Sequence, residues 1–229
     1  MKMHKTWPLG DLPKEMQRSE FAQLREQGYI WSNPMEVVEI FEKKVAEFAG
    51  SKYAIAVDCC SHGIFLSLKY LNASGEITIP DRTYVSIPFQ ILHAGCSVKF
   101  EDIEWSGIYQ LTPWPVYDGA VRWHKNMYVG GFHVLSFQIK KRIPIGRGGM
   151  VLTDDYEAYC WLKKACHDGR NSYIDHHNDD IQSLGWHYYM TPEDAARGIL
   201  LMDQIPEYNE DSGNYHCYRS LSSLPVFKK

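Results

Sequence analysis

The sequence predicts an α/β fold: three layers, built on a mainly parallel sheet. Three observations carry this. Short apolar runs alternate along the 229 residues with segments whose apolar residues recur at three- and four-residue spacing. The first run, Tyr53–Val57, is continuously apolar rather than alternating, as expected of a strand buried on both faces. The composition, 45% hydrophobic and 23% charged, is that of an ordinary globular chain with enough length for a substantial core.

Residues 1–33 read as an N-terminal arm with one short helix near Lys14–Gln27. A helix follows at Asn33-Pro34. Asn33 suits the cap, Pro34 the first helical position, and Glu36 stands three residues after the cap. Val37, Ile40, Phe41, Val45 and Phe48 make one apolar face, and Gly50 supplies the stop. Tyr53–Val57 (YAIAV) is a buried strand, Asp58–Ser61 a polar turn, and Ile64, Phe65, Leu68 and Leu71 the apolar side of a helix. Glu76–Pro80 is a strand, Val85–Ala94 a helix and Ser97–Phe100 a third strand. Pro115–Tyr117, Phe132–Phe137 and Gly149–Leu152 are further strand candidates, and Asp154–Asp168 and Thr191–Gln204 are helices. Residues 34–204 thus form the α/β domain, and 205–229 a polar, Tyr/Ser-rich tail.

A formal net charge of −4 argues against a generic nucleic-acid binder, and no apolar run reaches the roughly 20 residues of a membrane span. Met1–Pro8 shows no signal-peptide core. The six Cys form no CxxC pair, so the expectation is reduced thiols in the cytoplasm, with no metal site. The run Asp175-His176-His177 with Asp179-Asp180 reads as a polar loop.

The stretch Ser136–Gly149, SFQIKKRIPIGRGG, joins a strand end, a lysine pair and a glycine-rich turn. Alone it reads as a basic turn feeding a hairpin. Its context adds more. Asp118 ends the strand PVYD, and Ser61 opens a helix after YAIAV. In an open α/β sheet ligands sit at the carboxyl ends of the strands, and a helix N-terminus there favours phosphate. A lysine, an acid and a phosphate cup together are what pyridoxal phosphate requires.

On these residues the chain resembles the DegT/DnrJ/EryC1/StrS sugar aminotransferases, which are fold-type-I pyridoxal-phosphate enzymes. Their segment SFxxxKxxxxGxGGxxxT is matched by Ser136, Phe137, Lys141, Gly146, Gly148, Gly149 and Thr153, which selects Lys141 over Lys140. IPDRTYVS, HAGCSVKFEDIE, ACHDGR and LGWHYYMTPEDAARG are similar to further family segments in the family's order, over about Phe41 to Met202. The resemblance implies that Lys141 binds pyridoxal 5'-phosphate as a Schiff base and moves the proton. Asp118 pairs with the ring nitrogen, Tyr84 stacks on the ring, and Ser61 and Ser136 hold the phosphate. Cys60 stands in the phosphate turn where the family has glycine, and His187 reaches into a neighbouring subunit's site. His176, Tyr189 and Arg142 are candidate substrate contacts.

The implied function is amino transfer from an amino acid, glutamate in the family, to a keto nucleotide-sugar. The implied assembly is a homodimer with sites at the interface, with no nucleic-acid or membrane partner. A non-catalytic homologue that binds the cofactor or a sugar nucleotide, or regulates a full-length partner, is the alternative. Departures from the family pattern are Cys60, Val121, Arg142 and Arg147. Two segments are short against the family: an internal one near 104–115, where a strand and helix are expected, and the region after about Asp203, where the small C-terminal domain is largely missing. Trp105, Tyr109, Trp114, Trp123 and Trp186 are expected to cover surface that the missing pieces would bury.

Overall fold

A computed structural model describes residues 16–228. Most of the N-terminal arm's expected helix falls within it, as α1 (Ser19–Glu26); its first residues, and the arm before them, lie outside the described residues. α2 (Met35–Ala49) starts as the sequence predicts. Asn33 Oδ1 accepts from the Met35 amide, and the Glu36 carboxylate accepts from the amides of Ser32 and Asn33. Gly50 ends the helix with φ +83°. The remaining elements are β1 (Tyr53–Val57), α3 (Cys60–Tyr70), β2 (Glu76–Pro80), α4 (Ser86–His93), β3 (Ser97–Glu101), β4 (Tyr109–Gln110) and β5 (Val116–Asp118). After these come β6 (Phe132–Ser136), β7 (Gly149–Thr153), α5 (Tyr156–Ala165) and α6 (Pro192–Met202).

The three-layer α/β architecture is present. The side-chain period of two splits each strand between two cores. Ile55, Val57, Val134 and Val151 face α3, α4 and α5, in a core with Ile64, Ile91 and Leu162. Ala54, Ala56, Leu135, Met150 and Leu152 face α1, α2 and α6, against Leu24, Phe41, Val45 and Ile199. The small alanines of β1 let α2 pack close.

The sheet runs β1-β7-β6-β5-β4. β5 and β6 are parallel; β7 is antiparallel to both its neighbours, so β1, β6 and β5 share one direction. β2 and β3 form a separate parallel ladder, joined to the rest by a Thr78–Thr112 bridge. The sheet is therefore more mixed than the apolar runs suggest, because such runs report burial on both faces and not strand direction. Among the described residues β1 has no full strand on its outer side, only a bridge between Val57 and Tyr189, and the buried Glu42 accepts the Ala56 amide at 2.8 Å there. Where the family resemblance leads one to expect a further strand and helix, β4 lies antiparallel beside β5.

The tail is pinned rather than loosely laid on. Arg122 makes two bonds to Asp211 (3.1 and 2.8 Å), Asp81 accepts from the amides of Leu221 and Ser222, and Phe227 packs on Phe89 and Phe100. No helix among the described residues is long and apolar enough to cross a membrane.

Candidate active site

The carboxyl ends of β1, β2, β5 and β6 open on one cavity of about 570 Å³, a volume suited to a small-molecule ligand. Asp118 ends β5 and Ser136 ends β6; Ser61 lies in the first turn of α3 and Ser86 opens α4. All four line the cavity, together with Lys141, Cys60 and Tyr84.

Asp118 is buried. Its Oδ2 accepts from the Tyr109 hydroxyl at 2.7 Å and its Oδ1 from the Ala120 amide at 3.0 Å. Burial pushes its carboxyl above the ordinary range, against the Tyr109 and Ala120 bonds and the charge of Lys141. Cys60 is also buried, with Sγ 3.8 Å from Asp118 Oδ1; burial and the Asp118 charge push its thiol well up. Cys60 therefore sits beneath the acid as a neutral thiol. The Ser61 and Ser86 hydroxyls lie 2.6 Å apart, each in the first turn of a helix, where free amides favour an anion. Gly149 allows β7 to approach α3: a Cβ there would meet the backbone of Cys59 and Cys60 at 2.5 Å. Lys141 is half-buried, in a turn whose amide bonds the Gln138 carbonyl. Tyr84 leaves most of its ring exposed, which frees a face for stacking.

At the rim, Arg147 pairs with Asp58 at 2.6 Å, and His62 Nδ1 meets the other Asp58 oxygen at 2.6 Å. His62 stacks on Tyr188 at 3.6 Å. Arg147, one of the departures from the family pattern, thus has a partner in this chain. Cys217 and Tyr218 of the tail close one side of the cavity.

Four candidates do not line the cavity. Arg142 donates to the Glu210 carbonyl. His176 lies on an exposed loop. His187 is exposed and bonded to Asp168 at 2.8 Å, and Tyr189 packs against His167 and His187. Besides Tyr218, three further contributors carry no signal of a site in the sequence alone. Ser86 passes there for a helix-start residue, Thr83 for part of a strand exit, and Tyr109 for the remnant of a shortened segment.

A family profile matches residues 14–113 and 119–225. The chain belongs to the DegT/DnrJ/EryC1/StrS aminotransferase family. The match breaks at 114–118, beside the shortened segment. Among relatives, the spore coat polysaccharide biosynthesis protein SpsC of Bacillus subtilis (strain 168) is 27% identical over 183 residues, 60% of this chain and 46% of its own length. AtS13 from Actinomadura melliaura superposes with a TM-score of 0.67 at 18% identity, covering 81% of this chain and 64% of that one. DesI, solved in the presence of its TDP-sugar product, gives 0.63 at 19% identity, covering 82% and 58%. These likenesses show a common fold. The chain spans about half of the curated relative and under two thirds of these solved structures.

The cavity's donor set fits the cofactor of such a fold. A buried carboxylate, a lysine and three hydroxyls at strand and helix ends match a ring nitrogen, an aldehyde and a phosphate.

Proposed function

We propose that this chain carries a pyridoxal-phosphate aminotransferase site that moves an amino group from glutamate to a keto nucleotide-sugar. One observation carries the reading: Lys141, Asp118, Ser61 and Ser136, far apart in sequence, line a single cavity.

When bound, pyridoxal phosphate supplies an electron sink for the bond broken at the substrate carbon. The chain's residues do the rest. Lys141 is the residue that would hold the cofactor's aldehyde carbon through Nζ and, once displaced by the incoming amine, would move the proton at the substrate carbon. Asp118, its two oxygens held by the Tyr109 hydroxyl and the Ala120 amide, would face the ring nitrogen and keep it protonated. Ser61, Ser86 and Ser136 bind phosphate oxygens with the first-turn amides of α3 and α4. Tyr84 covers one ring face, and Tyr218 helps exclude water. His176, Tyr189 and Arg142, outside the cavity, are rim contacts for the sugar nucleotide. His187, exposed on its own subunit, completes the phosphate site of a partner in a homodimer. The protein works in the cytoplasm.

The test is the donor half-reaction. Glutamate added to cofactor-loaded protein abolishes the Schiff-base absorbance and releases an equal amount of 2-oxoglutarate. A band that forms and survives every amino-acid donor contradicts amino transfer and supports a binding-only role.

A further inference from the structure

We infer that Tyr109 is the positioning residue for Asp118, holding the carboxylate toward the cofactor's ring nitrogen; this rests on the pyridoxal-phosphate reading above. The observation is one of register. β4 and β5 pair antiparallel with Tyr109 directly opposite Asp118, and residues so paired leave the sheet on the same face. The Tyr109 hydroxyl donates to Asp118 Oδ2 at 2.7 Å. It lies 2.6 Å from Thr83 Oγ1, and because its one proton is given to Asp118, Thr83 is the donor in that bond. With the Ala120 amide on Oδ1, both carboxylate oxygens are held from the protein side, and rotating the group breaks at least one bond.

Both partners are buried, at 7% and 5% exposure, so the bond is shielded from water. Burial raises the Asp118 carboxyl, and the Tyr109 bond is the strongest influence against that rise. Burial and the Asp118 charge push the Tyr109 phenol well up, so it remains a donor. The ring is braced. Trp105 packs on it at 5.0 Å, and Trp105 Nε1 donates to the Arg82 carbonyl, next to Thr83. The shortened segment therefore does more than cover exposed surface: its two-residue strand delivers a donor to the acid.

Tyr109→Phe keeps the ring and removes the donor. In cofactor-free protein with ¹³C-labelled aspartate, the Asp118 carboxyl then titrates at higher pH. In loaded protein, pyridoxal-phosphate affinity falls about tenfold to a hundredfold, the range for losing a buried bond to a charged group. In an Asp118→Asn background the same change adds little, because no charge remains to be held. Thr83→Val shows a smaller shift in the same direction, Thr83→Ser restores wild-type values, and this pair carries the test if Tyr109→Phe does not fold. The inference is overturned if Tyr109→Phe leaves both the aspartate titration and the affinity unchanged, or weakens binding equally in the Asp118→Asn background. Failure of wild-type protein to bind pyridoxal phosphate overturns the cofactor reading and the positioning role with it. That result is distinct, since the unmutated protein itself fails.

Discussion

At the scale of single residues, two histidines give the molecule opposite pH sensitivities. His133, the second residue of β6, is fully buried, and neither ring nitrogen meets a hydrogen-bond partner among the described residues. Burial, with Arg122 and His124 adding to it, pulls its pKa down to about 3. The unfolded chain binds this proton below about pH 6.5, so stability is present above that value and is lost as pH falls toward 3, by up to about 1.4 kcal/mol per pH unit. His133→Leu flattens that acid slope, as read by urea unfolding between pH 7 and pH 4. His62 runs the other way. Burial pulls it down, but bonds to Asp58 and Cys59 outweigh burial and carry it up to about 9. Its contribution is complete below about pH 6.5 and disappears as pH rises through 9. His62→Gln removes that alkaline loss in unfolding measured from pH 6 to pH 10. Neither role is visible in the sequence. His133 is one letter in an apolar strand, and His62 is four residues from its partner across a helix start. Lys141, Asp118, Ser61 and Ser136 were legible because a spaced motif and strand ends place them. Ser86, Thr83 and Tyr109 were not, because each is an ordinary residue until its neighbour is known.

At the scale of elements, the continuous apolar runs located β1, β2 and β5 to β7 to within a residue or so. Their directions were not legible, since the pattern is the same for either. β4 was missed because two residues, one of them Gln, make no run. The antiparallel β1–β7 pair leaves an edge that, among the described residues, is bridged only between Val57 and Tyr189, which explains Glu42: it accepts the Ala56 amide and pairs with Lys163 at 2.8 Å. Removing one partner of such a buried pair strands the other. Lys163→Met is expected to cost about 3 kcal/mol in urea unfolding, with less cost if Glu42 is changed with it. The β7–α3 contact is the second joint. Gly149→Ala forces the strand away from the first turn of α3, costs about 1–3 kcal/mol, and weakens phosphate-side binding, as read by calorimetry with pyridoxal phosphate.

At the scale of the whole molecule, the tail is part of the α/β body. Arg122–Asp211 is two-pronged and about one-fifth exposed at each partner, and it ties the tail to the loop after β5. Arg122→Ala is expected to speed amide exchange across 205–228 while leaving β6 and β7 protected, a local opening measured by hydrogen exchange. Composition could not reveal this docking, because a polar, Tyr-rich segment reads the same whether pinned or free. The tail also brings Cys217 and Tyr218 to one side of the cavity.

The central claim is that this one chain assembles a lysine, an acid and a phosphate cup around pyridoxal phosphate. Purified protein mixed with the cofactor should develop an absorbance band near roughly 410–430 nm, expected of a lysine Schiff base. Borohydride should then fix the cofactor on the peptide containing Lys141, and Lys141→Ala should abolish both. A saturated protein with no band, or a label found on Lys140 alone, contradicts the account.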